Sequence, residues 1–126
     1  MDILKRTQFG NPVLREVARK LTVAEITSPK IQKLISDMRN TLIAKKLGVG
    51  LAAPQVGESI ALIVIAIRPN DIRPDIEAFD LVMINPVITQ YEGRRKSMWE
   101  GCISAGSAGK ADLFAKVPRY NELVVS

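Results

Sequence analysis

The sequence predicts a single α+β domain, and three observations carry that expectation. Its 126 residues are one domain's worth of chain. A capped amphipathic helix stands in the first third, and apolar runs of strand length follow it. The composition, 47% hydrophobic and 25% charged, is that of a folded globular protein and not a disordered one.

Taken in order, "FGNPVLREVARKL" opens on a turn signal, Gly10-Asn11-Pro12, and runs into a short mixed segment. The helix follows in "TSPKIQKLISDMRNTLIAKKLG". Ser28 is its N-cap, and Pro29 at the next position needs no backbone donor. Ile31, Leu34, Ile35, Met38 and Leu42 fall on one stripe at helical spacing. Lys45 and Lys46 sit near the negative end of the helix dipole, and Gly48 is a stop signal. "GVGLAAPQVGE" then reads as a loop of small residues. "IALIVIAI" reads as a strand buried on both faces, because its apolar run is continuous and β-branched. "RPNDIRPDIEAFD", with two prolines, reads as a loop. "LVMINPVITQYEG" gives a short strand, a break at Asn85-Pro86 and a second strand. After Gly93 come the charged "RRK" and then "SMWEGCIS", with no element assigned. "AGSAGKADLFAK" reads as an exposed loop and "NELVVS" as a strand. A chain that stops inside an apolar β-type run is expected to be cut rather than finished.

Composition narrows the function classes. Residues 1–50 carry ten Lys/Arg against four Asp/Glu, and the remainder eight against nine. With no interleaving of aromatic and basic residues, that basic half reads as a solvated helix face, and no specific nucleic-acid partner is expected. One cysteine rules out an internal disulfide. The first ten residues lack the apolar run of a signal peptide, and no stretch reaches the roughly 18 apolar residues of a membrane span. The expected location is the cytoplasm, with no membrane partner.

Two places could carry chemistry. In the small-residue loop, Gly48, Gly50, Ala52 and Ala53 let a ligand or another backbone come close, and Gln55 offers an amide that both donates and accepts. The loop is not a nucleotide-binding one: it lacks the Lys-Ser/Thr of a P-loop and the spacing of a dinucleotide fingerprint. The second place is Cys102. The chain contains no histidine. Without a base, a lone cysteine is no evident nucleophile, and without partners no evident metal ligand; taken alone it reads as a small hydrophobe.

Taken together, "GVGLAAPQ" at 48–55 and "EGCIS" at 100–104 closely resemble the first two signature motifs of the peptide deformylase family. "NPVLREVA" at 11–18, "INP" at 84–86 and "VPR" at 117–119 resemble supporting fragments of that family. The resemblance implies an α+β fold in which antiparallel strands pack around helices, one of which carries a third motif, H-E-x-x-H. It implies metal-dependent hydrolysis of the formyl group from the N-terminal methionine of nascent proteins. Ferrous iron (Fe2+) is the expected cofactor, with zinc (Zn2+) or nickel (Ni2+) as alternatives. N-formylmethionyl peptides are the expected partners, and the ribosome is a further one.

Carried over by motif, Cys102 matches the metal's thiolate ligand. Gln55 matches the glutamine that holds the attacking water and the formyl oxygen. Ile103 stands where a leucine offers its backbone N–H to the oxyanion, a role its side chain does not touch. Val49 and Gly50 match positions beside the substrate backbone. Met98 and Glu100 stand where the family shapes its methionine pocket and a supporting ion pair, with Arg119 the candidate partner of Glu100. The third motif is absent, so two of three protein ligands and the proton-relaying glutamate are missing from this chain. The segment between "EGCIS" and "VPR" also lacks the proline and arginine usual there. The expectation is a single deformylase domain, residues 1–126, cut before its metal-binding helix and inactive alone. A naturally shortened, non-catalytic homologue that binds formyl-peptide, ribosome or a partner chain is the other reading; a basic RNA-binding α+β module is disfavoured by the twin motifs.

Overall fold

The computed structural model describes residues 2–45, 48–105 and 114–126. The turn signal at Asn11 becomes a 3-10 turn, Pro12–Arg15, started by the Asn11 side chain accepting from the Val13 amide at 3.1 Å. A four-residue helix too short to show a periodicity in sequence, α1 (Val23–Ile26), is held by a capping box. Thr22 Oγ1 accepts from the Glu25 amide, and the Glu25 carboxylate accepts from the Thr22 amide at 2.8 Å. The Arg19 guanidinium also holds that carboxylate, lowering its pKa to about 2.

The long helix is α2 (Pro29–Ile43), and Ser28 Oγ caps it by accepting from the Ile31 amide at 3.3 Å. Its apolar stripe faces the core: Met38 and Leu42 are fully buried, Ile31 nearly so, and Leu34 and Ile35 pack at the margin. The helix ends at Ile43, so Lys45 lies past its last turn.

The small-residue segment is not simply a loop. Gly50–Ala52 form a short strand, β1, and Ala53–Val56 a 3-10 turn closed by Gly57 in the left-handed conformation. β1 is made by its partner and has no strand signal of its own. Gly50, Leu51 and Ala52 pair antiparallel with Ile65, Val64 and Ile63 of β2 (Leu62–Ile67). β2 pairs in turn with β3 (Phe79–Ile84), giving the order β1-β2-β3.

The expectation that 60–67 is buried on both faces is corrected. Leu62, Val64 and Ala66 are buried against α2, whereas Ile63, Ile65 and Ile67 on the other face are only half-buried. The register aligns them with Met83, Leu81 and Phe79, making one apolar face on the side turned from α2, where Leu81 and Phe79 are exposed.

The break at Asn85-Pro86 is where expected. Asn85 takes a positive φ of 52°, and its side chain grips the Leu21 backbone, accepting from the amide at 2.8 Å and donating to the carbonyl at 2.9 Å. Beyond it, β4 (Ile88–Gly101) and β5 (Phe114–Val125) form a separate two-stranded antiparallel sheet. "RRKSMWEG", left unassigned above, is thus strand. A bulge between Glu92 and Arg95 absorbs the misfit in register, with Gly93 at φ +75°. The hairpin brings aromatic and basic side chains together, with Arg95 over Tyr120 and Lys116 over Trp99. Of the predicted loop at 105–116, residues 106–113 lie outside the described ones; Ala105 is buried and Phe114–Lys116 belong to β5. No helix among the described residues is long and apolar enough to cross a membrane.

Candidate functional site

Gln55 projects from the 3-10 turn after β1, and Cys102 follows the last residue of β4. Forty-seven residues apart in sequence, they meet: Gln55 Nε2 lies 3.4 Å from Cys102 Sγ and 3.3 Å from Ser104 Oγ. The amide's orientation is fixed from behind, because Gln55 Oε1 accepts from the Ala52 amide at 2.9 Å. Its NH2 group therefore faces the thiol and the hydroxyl as a donor.

The N-terminal segment fastens the two sides. The Thr7 amide donates to the Gln55 carbonyl at 2.7 Å and the Phe9 amide to the Ser104 carbonyl at 2.9 Å. Arg6 Nη1 donates to the Ile103 carbonyl at 3.0 Å. The Ala105 amide closes the turn after the cysteine onto the Cys102 carbonyl at 2.9 Å. These bonds hold the peptide unit next to the Ile103 N–H in place.

Around this pair opens a cleft of about 680 Å³, to whose walls Val49, Gly50, Gln55, Glu100, Cys102 and Ile103 all contribute. Gly50 is not forced by the fold: a Cβ built there meets nothing nearer than the Val64 carbonyl at 3.9 Å. Space beside its backbone is therefore free for a ligand. Glu100 pairs with Arg119 through two parallel bonds of 2.9 Å, and this hydrogen bonding holds its carboxyl below the ordinary glutamate range. Met98 is exposed and is not among the described residues that line the cleft, whereas Trp99, one residue on, is. Arg6, Trp99 and Phe114 also border the cleft, and no sequence signal singled them out. Lone residues outside a motif become visible only through the contacts they make.

The residues present do not fit a catalytic metal on their own. Such a site takes three protein ligands and an open position. Cys102 can supply one thiolate, yet no group of three or more Cys, Asp, Glu or His is gathered among the described residues, and the chain has no histidine.

Comparison with known proteins agrees with this geometry. The family model of polypeptide deformylase matches residues 3–126. Peptide deformylase 1 of Nitrosomonas europaea is 36% identical over 117 residues, covering 92% of this chain and 62% of its own length. The chain thus spans less than two thirds of that curated relative. A class I type b peptide deformylase from Acinetobacter baumannii superposes with a TM-score of 0.84 at 29% identity, over 99% of this chain and 75% of that one. The Met-Ala-Ser-bound structure from the same organism gives 0.81 at 29% identity, over 98% of this chain and 82% of that one.

Proposed function

Because this chain belongs to the peptide deformylase family, we propose that its residues form the formyl-peptide-binding part of a deformylase centre and do not by themselves complete the hydrolytic one. The observation that carries this is the Gln55 amide, locked by the Ala52 amide behind it and presenting its NH2 beside Cys102. A formyl oxygen seated there accepts from Gln55 Nε2, with the Ile103 N–H as the second donor that the likeness to the family assigns. The turn bonds at Ile103 and Ser104 keep those donors from having to reorganise when the oxygen arrives. The peptide backbone passes Val49 and Gly50, where a side chain at position 50 would take up its space.

Among the described residues Cys102 is the one thiolate on offer to a metal, be it ferrous iron, zinc or nickel. A metal in this family supplies the hydrolytic chemistry. The residues described here bind and orient the formyl group, and none is placed to relay a proton to the departing amine. The substrates are N-formylmethionyl peptides, met as they leave the ribosome in the cytoplasm. A relative that carries bound Met-Ala-Ser supports a peptide in this cleft.

Trp99, the chain's single tryptophan, borders the cleft and reports binding by fluorescence. N-formyl-Met-Ala-Ser is expected to bind more tightly than Met-Ala-Ser, by up to about tenfold for one well-placed hydrogen bond. Gln55→Ala should narrow that difference. Equal affinity for the two peptides in the unsubstituted protein would contradict the proposal.

A further inference from the structure

The charges around the cleft are unbalanced. Among the described residues its one acid, Glu100, is already paired with Arg119. Three described cations also line it: Arg6, Lys45 and Arg73. None of the three has a carboxylate partner among the ion pairs of the described residues. Arg6 is held by a neutral carbonyl, that of Ile103, so its charge is positioned without being cancelled. Lys45 is half-buried, which weakens screening by solvent, while Arg73 is exposed at the outer part of the wall. An adjoining recess of about 290 Å³ shares Lys45 and Arg73 and adds Arg68 and Asp71. Arg68 is occupied by Asp80 at 2.6 Å, and Asp71 lines only that recess, not the main cleft.

We infer that this cleft selects peptides with an acidic side chain shortly after the formylated methionine, with Arg6, Lys45 and Arg73 as the residues that set the preference. The inference rests on the reading of the cleft as a formyl-peptide site and adds a substrate class to it. The physical basis is elementary. A carboxylate entering a cleft with three uncancelled cations gains Coulomb energy, and a lysine there loses it. Since the cleft is open to solvent, the preference must weaken as salt is raised.

The test uses C-terminally amidated peptides, so that no terminal carboxylate confuses the comparison. N-formyl-Met-Ala-Glu, N-formyl-Met-Ala-Gln and N-formyl-Met-Ala-Lys, with a second series varied at the residue after methionine, are titrated against the dilute protein while Trp99 fluorescence is followed. In at least one series the glutamate peptide should bind about tenfold more tightly than the lysine peptide at low salt, with glutamine between. High salt should shrink that ratio toward one, and Arg73→Glu, at an exposed position, should shrink or reverse it. Equal affinities across both series, or tighter binding of lysine, would overturn the inference. The unformylated peptides keep the two ideas apart. A formyl preference without an acidic one overturns only this inference. An acidic preference that ignores the formyl group overturns the formyl-site reading and leaves the charge selection standing.

Discussion

Asn85 shows how much a single residue can fix. Its positive φ is tolerated by asparagine better than by most residues, and its side chain replaces two hydrogen bonds that the Leu21 backbone would otherwise lack. Asn85→Ala should cost about 2 kcal/mol or more, from two lost bonds and a strained backbone. Asn85→Gly should recover only the strain, and denaturant melts of the two variants would separate the parts. Glu100 gives a second prediction at this scale. Its folded carboxyl is held low by Arg119, so the ion pair stabilises the protein above the ordinary glutamate pKa and is lost as pH falls through the lowered folded value. Carboxyl NMR should therefore place Glu100 below exposed glutamates, and Arg119→Met should return it to their range; no change would disprove the pairing. The meeting of Gln55 with Cys102 was legible because both sit in dense local motifs. The shared role of Arg6, Lys45 and Arg73 was not, because no motif links the three and only the wall they share brings them together. Trp99 stands beside the motif and not within it, so its place on the cleft wall had no signal of its own.

Among the elements, α2 was readable in full because its signals are local: a serine cap, a proline at the first position and an apolar stripe at helical spacing. Those signals also rank its perturbations. Ser28→Ala should cost about 1 kcal/mol, the worth of a cap, whereas Leu42→Ala, which empties a fully buried site, should cost about 2–5 kcal/mol. Comparable losses in a denaturation series would mean that packing of α2 on β2 does not dominate. The strands were less legible wherever pairing makes them. β1 is Gly50, Leu51 and Ala52, three residues of low strand propensity, ordered by Ile63, Val64 and Ile65 opposite. β4 crosses a charged stretch and a glycine, and its length comes from the ladder with β5 and the bulge that keeps that ladder in step. The alternating burial of β2 was hidden because both its faces are written in apolar residues, while only one packs on α2.

For the whole molecule, apolar surface is unevenly covered. Leu81 and Phe79 of β3, on the face turned from α2, and Tyr91, Met98, Trp99, Phe114, Leu123 and Val124 of the hairpin are all at least 40% exposed. Each such side chain forgoes part of the roughly 1.5–3 kcal/mol that full burial contributes, and several together rival the 5–15 kcal/mol stability of a typical domain. Open strand edges beside apolar faces favour pairing with another chain. The 126-residue polypeptide should therefore sediment as concentration-dependent oligomers, and Leu81→Lys should shift it toward monomer. A monodisperse monomer that melts cooperatively would show that these faces are closed in some other way. The central claim is that these residues gather a formyl-binding amide and one thiolate without the remaining ligands and proton relay that hydrolysis requires. Its most direct test is formate release from N-formyl-Met-Ala-Ser by the purified 126-residue chain, supplied anaerobically with ferrous, nickel or zinc ions. The account predicts no release above the protein-free rate with any of the three. Catalytic release that disappears in Cys102→Ser would contradict it.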